Sequence, residues 1–208
     1  MDTTNFTLFF AASWVLILTP GPDIIYVMSR GISQGKKAGI LSAAGVTVGI
    51  LVHTVFAALG LAVILRTSSL AFLVVKLAGA VYLIYLGYAS IKQPPEQIFN
   101  LKRPASAWRT IFMQGLLTNV LNPKVALFFL AFLPQFVNPA ADNIPYQMAL
   151  LGLVYALSGL LFLLLLGYWS GRIGSWLSTR QGLSRWVHRF TGSLLVILGL
   201  RLAFMENR

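Results

Sequence analysis

The sequence predicts an all-α integral membrane protein of six transmembrane helices, arranged as two inverted three-helix repeats. Three observations support this fold class: charge is scarce, long apolar runs recur, and two of these runs carry Pro interruptions 101 residues apart. Of the 208 residues, 57% are hydrophobic and 10% are charged, whereas an average soluble chain is about 25% charged. The mean hydropathy is +0.78. This composition excludes an ordinary soluble enzyme.

Six apolar runs are long enough for a helix to cross about 30 Å of hydrocarbon, which takes about 20 residues. They cover residues 6–28, 39–65, 70–91, 111–136, 144–169 and 186–205. We therefore expect one transmembrane domain over residues 1–208, with a first repeat at about 5–92, a loop at 93–109 and a second repeat at about 110–208. The first run also resembles the apolar part of a signal peptide, but an acid precedes it in place of Lys or Arg, which favours a span.

The formal net charge of +11 suits either nucleic-acid binding or orientation in a membrane, and the positions of the bases distinguish the two. With six spans, alternate connections lie on one side and collect eleven bases: Arg30, Lys36, Lys37, Lys92, Lys102, Arg103, Arg109, Arg172, Arg180, Arg185 and Arg189. By the positive-inside rule this side is cytoplasmic, so both termini are expected on the periplasmic side. The bases then face anionic lipid headgroups, and no nucleic-acid partner is expected.

Spans 1 and 4 share an interruption that suggests an internal repeat. Leu18-Thr19-Pro20-Gly21-Pro22-Asp23 aligns with Val120-Leu121-Asn122-Pro123-Lys124 when Pro22-Asp23 is placed on Pro123-Lys124. The same offset lays span 2 on span 5, and the glycine spacing of span 3 matches that of span 6. Three spans per half make the second half insert upside down, as in secondary transporters with inverted repeats. The alternative is a coincidence of two Pro-containing helices.

The two interruptions predict a binding site at membrane depth. Pro22 and Pro123 each remove a backbone donor, so we expect broken or kinked helices at Gly21-Pro22 and at Asn122-Pro123. Broken backbone inside a membrane is tolerated where it is buried in protein or lines a wet cavity. Helix N-termini attract a carboxylate and free carbonyl groups attract an ammonium, a combination that suits a zwitterion. For Pro123 alone, a packing kink without a ligand is an equal alternative.

Asp23 and Lys124 are the charged residues that the topology does not explain. Asp23 is the only carboxylate expected within a span, and Lys124 is the only base near the middle of one. A charge at mid-bilayer costs about 2.5–3.5 kcal/mol, so both should be paired or solvated in a cavity. We expect an Asp23–Lys124 ion pair at the centre. It either joins the two halves structurally or binds substrate, with Asp23 carrying the coupled proton.

Further polar residues point toward the same region. Gln114, Thr118 and Asn122 recur every four residues on span 4, with Asn119 beside them, and this stripe either lines a pathway or bonds across helices. His53 in span 2 is either a substrate contact or proton relay, or a histidine bonded to a neighbouring helix. The stripe ends at the Pro123 break, which favours a pathway.

The remaining patterns bear on assembly and cofactors. GxxxG pairs at Gly35 and Gly39, Gly45 and Gly49, and Gly167 and Gly171 permit close helix contact, either within one subunit or in a homodimer. With no Cys and two His, the sequence predicts no metal site, no cofactor and no catalytic constellation.

Together these motifs resemble the LysE/RhtB family of bacterial amino-acid exporters. The resemblance covers essentially the whole chain and rests on four stretches in order: residues 18–23, Ala78-Gly79-Ala80-Val81-Tyr82-Leu83 with Leu86-Gly87, Leu117 to Lys124, and Phe132-Leu133-Pro134-Gln135-Phe136. It implies a multi-pass exporter in the bacterial inner membrane that moves amino acids outward, with protons as the exchange partner.

The resemblance also bears on the roles of the two charges and on the substrate. In similar proteins the position of Asp23 is often Asn, so Lys124 is the more general functional residue and Asp23 is expected to bind the substrate ammonium here. With one acid in the pathway, a neutral amino acid such as leucine, threonine or homoserine is the expected substrate. The alternatives are a cation exporter of the same superfamily, which one carboxylate disfavours, and an integral-membrane enzyme.

Overall fold

The computed structural model describes residues 3–61, 69–92, 105–138, 143–178 and 181–204, and within these ranges it contains eight α-helices and no strand. The helices are α1 (Thr3–Leu18), α2 (Pro22–Gln34), α3 (Lys36–Phe56), α4 (Ser69–Lys92), α5 (Trp108–Val120), α6 (Pro123–Leu127), α7 (Ile144–Ser178) and α8 (Gln181–Phe204). A π-helical turn, Ala57–Leu61, follows α3, while a π segment, Phe128–Phe132, and a 3₁₀ turn, Leu133–Phe136, continue α6. The predicted all-α class is confirmed.

The chain is a multi-pass membrane protein by the length and composition of its helices. Three helical segments are long and apolar enough to span a membrane: Lys36–Gly60, Leu73–Lys92 and Ile144–Ile173. Two bent pairs add up to two further spans, with 50° between Asn5–Leu18 and Pro22–Gln34 and 45° between Trp108–Val120 and Pro123–Phe136. The sixth predicted span lies on α8 and is not among these segments, so the six-span inverted repeat stays a prediction.

Both interruptions lie where the sequence places them. The prolines, however, do not kink the interior of a helix but stand at the start of one. Pro22 is the first residue of α2 and Pro123 is the first residue of α6. At this position the missing N–H is one that an α-helix leaves unbonded anyway, and the fixed φ of proline already suits the helix. Each proline therefore starts the second half of its span.

Apolar side chains that face outward form long stripes on the spanning helices. On α7 they recur every three or four residues, through Leu150, Leu153, Leu157, Leu161 and Leu165, each of them between 42% and 56% exposed. This spacing keeps the side chains on one face of an α-helix. In a membrane such a face contacts lipid, while the opposite face packs against the rest of the bundle.

Glycines allow the closest helix contacts within the subunit. A Cβ at Gly49 would lie 2.7 Å from the Cβ of Asn119, so glycine is needed where α3 crosses α5. Gly87 of α4 faces Gly192 of α8 reciprocally, and a Cβ on either would lie 2.5 Å or 2.6 Å from the other's carbonyl oxygen. The Gly45–Gly49 pair thus serves a contact within one subunit, and a homodimer stays a prediction.

Candidate functional site

Asp23 lies in the first turn of α2 and is 7% exposed. Its Oδ2 accepts hydrogen bonds from Nδ2 of Asn119 at 3.0 Å and from Nδ2 of Asn122 at 2.9 Å. Both donors stand at the break between α5 and α6, so the carboxylate links the two interrupted spans. The N-terminal turn of a helix favours negative charge, which further stabilises a carboxylate in this position. Oδ1 has no hydrogen-bond partner among the described residues.

Lys124 lies in the first turn of α6 and is 6% exposed. Its Nζ donates to the carbonyl oxygens of Thr19, at 2.9 Å, and of Leu16, at 3.2 Å. These carbonyl groups stand where α1 ends, and the last turn of a helix leaves its carbonyl groups without partners inside the helix. The ammonium therefore caps α1 and lies at the negative end of that helix dipole.

Gly21 is the residue that lets the ammonium reach these carbonyl groups. A Cβ built on Gly21 would lie 3.0 Å from Nζ and 3.3 Å from Cε of Lys124. The backbone of Gly21 is extended, with φ −170°, so space rather than backbone conformation favours glycine here.

The two charges do not form the direct ion pair that the sequence suggested. Among the described residues, no nitrogen–oxygen contact within 4.0 Å joins the Asp23 carboxylate to the Lys124 ammonium. Each charge is instead held by neutral partners, the carboxylate by two amide groups and the ammonium by two carbonyl groups. The partners belong to the opposite interrupted span in both cases, so the two breaks remain tied together.

Asp23 and Lys124 line the same small cavity. Its volume is about 20 Å³, and the rest of its lining is Ile17, Ile24, Ile50, Tyr155, Gly159 and Leu163. A cavity must offer roughly 10–15 Å³ on this measure to hold a single water molecule, so the space is too small for an amino acid. Asp23 and Lys124 thus share the wall of a small space with mostly apolar groups.

Asn122 and Asn119 organise the break in span 4. Oδ1 of Asn122 accepts from the backbone N–H of Lys124 at 3.0 Å and thereby caps α6, while its Nδ2 binds Asp23. Asn119 is fully buried, and its backbone carbonyl lies 3.1 Å from Nε2 of His53. A carbonyl oxygen only accepts, so Nε2 donates in this contact. His53 is thus bonded to a neighbouring helix, and a further role as a substrate contact or proton relay stays a prediction.

None of the four residues of the predicted polar stripe is in the lining of this cavity. Gln114 accepts a hydrogen bond through Oε1 from the guanidinium of Arg30, at 2.7 Å, and Arg30 also donates to Oε1 of Gln34 at 2.8 Å. Thr118 is half-buried and makes no side-chain hydrogen bond within the described part of the chain. Of the predicted stripe, Asn122 and its neighbour Asn119 reach Asp23, whereas Gln114 ties α5 to α2.

Two buried residues of this region escaped the sequence reasoning. Arg30 was counted among the connection bases but is only 3% exposed. Tyr155 lines the cavity, is 2% exposed and packs against Phe128 and Phe129, with ring centroids 4.9 Å and 5.4 Å away. No motif marks Tyr155 in the sequence, since it stands inside a long apolar run. The burial of Arg30 could have been suspected from its position, since it lies one turn before the end of α2, on the same helix as Asp23.

Comparison with known proteins places the chain among membrane translocators. The family model described as "LysE type translocator" matches residues 14–206. An uncharacterised membrane protein of Bacillus subtilis is 33% identical over 90% of this chain and 92% of its own length. The leucine efflux protein of Klebsiella pneumoniae is 32% identical over 98% of this chain and 96% of its own length, and that of an Enterobacter strain is 29% identical over 97% and 96%. No solved structure matches the chain.

Proposed function

The chain belongs to the LysE type translocator family, and from this premise we propose that it is a secondary exporter of neutral amino acids, driven by exchange for protons. The family resemblance expected from the sequence is thereby confirmed. Relatives named leucine efflux protein support amino-acid export as the activity and leucine as a substrate to test first. They also favour transport over the alternative of an integral-membrane enzyme.

The observation that carries the proposal is that two oppositely charged residues line one cavity, and that each of them can make a further hydrogen bond. Oδ1 of Asp23 has no hydrogen-bond partner among the described residues, and the Lys124 ammonium uses two of its three N–H donors. A substrate ammonium binds at Oδ1, and a substrate carboxylate binds at the free Lys124 donor. The two charges of an amino-acid backbone therefore match the two charges of the site.

The lining of the cavity also favours a neutral substrate. The rest of the cavity lining consists of apolar groups, Tyr155 and Gly159. After the backbone charges have bound, Asp23 and Lys124 leave no further charge in the lining to bind a charged side chain. Lysine or arginine would bring a charge into an apolar space at a cost of several kcal/mol.

Transport through this site requires a change of shape, because the cavity of about 20 Å³ is smaller than any amino acid. We propose that the half-helices around the two breaks separate alternately toward each side, as in other transporters with broken helices. In the empty protein, protonation of Asp23 neutralises the buried carboxylate and couples the cycle to the proton gradient. The proposal includes two inverted repeats of three spans, the bacterial inner membrane and periplasmic termini.

A cation exporter fits this site less well. Hard cations take several oxygen ligands, usually carboxylates, whereas the cavity offers one carboxylate beside an ammonium. The ammonium repels a metal cation and attracts a carboxylate, which again favours a zwitterionic substrate.

Flux into proteoliposomes tests the proposed function. Purified protein is reconstituted, and uptake of radiolabelled leucine, threonine, homoserine and lysine is measured with and without an imposed pH gradient. We expect flux of the neutral amino acids, accelerated by a proton gradient of the opposite direction, and little flux of lysine. Absence of flux for every amino acid, or an ion flux in its place, would contradict the proposal.

A further inference from the structure

Gly159 differs from the other buried glycines of the described chain. At each of the others, a Cβ would come closer than 3.0 Å to an atom of a neighbouring helix, so packing itself requires glycine there. Among the described residues, and apart from the backbone of its own helix, the only atom within 4 Å of such a Cβ at Gly159 is Cδ1 of Ile50, at 3.4 Å, an ordinary van der Waals distance. Helix packing therefore leaves room for a larger residue at this position.

The space beside Gly159 belongs to the cavity that Asp23 and Lys124 line. Gly159 stands on α7, one turn before Leu163, and Ile50 faces it from α3. Asp23, which lines the same cavity, has a buried Oδ1 with no hydrogen-bond partner among the described residues, and an unsatisfied buried atom of this kind needs an explanation, such as a ligand that binds it. Helix packing does not require glycine at this position of the cavity wall, so we look for its reason in the molecule that the cavity binds.

We propose that Gly159, together with Ile50 and Leu163, forms the subsite for the substrate side chain and limits its size. This inference rests on the proposed function, since it assumes that Asp23 and Lys124 hold the backbone charges of an amino acid. The side chain of the substrate then extends along the apolar wall, and the missing Cβ of residue 159 provides room for a branched aliphatic group.

The test compares amino acids of graded size in reconstituted protein. Fluxes of alanine, valine and leucine are measured for the wild type, Gly159→Ala and Gly159→Val. One methyl group in an apolar pocket changes discrimination by about tenfold or more. We therefore expect the leucine-to-alanine flux ratio to fall by about tenfold in Gly159→Ala and further in Gly159→Val.

Gly171→Ala is the matched control on the same helix. Among the described residues, no atom lies within 4 Å of a Cβ built at Gly171, and Gly171 is not in the lining of the cavity, so the flux ratio should equal that of the wild type. Ile50→Ala makes the opposite change, since it shortens the side chain that faces Gly159 and should enlarge the subsite. It should raise the flux of phenylalanine relative to leucine, and it tests the subsite even if the Gly159 variants fail to assemble.

Three outcomes test this inference and separate it from the proposed function. If leucine and alanine are transported but the size preference is the same in Gly159→Ala, Gly159→Val and the wild type, the subsite is wrong and the exporter proposal stands. A size preference unchanged in Ile50→Ala contradicts the subsite equally. If the wild type transports no amino acid, the proposed function fails, and the side-chain subsite fails with it.

Discussion

Replacement of Asp23 by Asn separates the structural role of this residue from its proposed role in proton coupling. The amide has the shape of the carboxylate, and its oxygen can accept the same two hydrogen bonds from Asn119 and Asn122 that Oδ2 accepts now. The variant removes the charge and the oxygen that is proposed to bind the proton, while it keeps the link between the two interrupted spans. Asp23→Leu is the contrasting variant, since it removes the acceptors as well.

The expected loss of stability follows from these two hydrogen bonds. A bond to a charged group contributes about 1.5–3 kcal/mol and a neutral bond about 0.5–1.5 kcal/mol. Asp23→Asn should therefore lower the free energy of unfolding by about 2 kcal/mol, or by less if relief of the buried charge offsets the loss. Asp23→Leu leaves two buried amides without their acceptor, at about 1–3 kcal/mol each, so it should cost about 2–6 kcal/mol.

Stability is measured by unfolding in mixed detergent micelles, and coupling is measured by leucine flux into proteoliposomes with and without a pH gradient. We expect Asp23→Asn to assemble, to move leucine down its own gradient and to lose the acceleration by the pH gradient. Asp142→Asn is the matched control. It makes the same chemical change at an acid that the sequence places in the connection before span 5, and it should keep the response to pH.

Two results would refute this reasoning. A pH response in Asp23→Asn equal to that of the wild type would show that Asp23 does not carry the proton. A loss of stability in Asp23→Asn as large as that in Asp23→Leu would show that hydrogen bonds from the two asparagines do not explain the position of the carboxylate.

Two further substitutions test the contacts around the breaks. Lys124→Met removes the donor of the two charge-assisted hydrogen bonds that cap α1. At about 1.5–3 kcal/mol for each bond, we expect a loss of about 3–6 kcal/mol and no leucine flux; a stability equal to that of the wild type would show that these bonds contribute nothing. Gln114→Leu removes an acceptor of the buried Arg30 guanidinium and should cost about 1–3 kcal/mol in the same unfolding assay. Gln114→Glu, which keeps the acceptor, is its control, and equal stability of the two variants would show that this bond contributes nothing.

The sequence predicted the interruptions because proline and glycine act locally. Pro22 and Pro123 lack a backbone donor wherever they stand, and a span that contains such a residue must begin again after it. Asp23 and Lys124 were identified for a similar reason, since a charge within an apolar run is costly in any arrangement of helices. The two principal residues of the candidate site therefore followed from the sequence alone.

The partners of these charges could not be predicted in the same way. The sequence suggested that Asp23 and Lys124 bind one another, because opposite charges are the simplest pair. The structure offers each of them neutral partners at a helix end, and these become available only when the breaks of both spans meet. Tyr155 was missed because an isolated tyrosine in a long apolar run resembles any other packed aromatic residue.

Local chemistry thus determined the all-α class, the membrane, the family motifs and the identity of the charged pair, since each follows from composition or from a single residue's backbone. Tertiary structure decided which carbonyl groups hold Lys124, which amides hold Asp23, and which glycine faces open space rather than a neighbouring helix. Hydrogen-bond partners and cavities depend on distances between segments about one hundred residues apart in the chain. Helix packing sets those distances, and they cannot be predicted from a local sequence pattern.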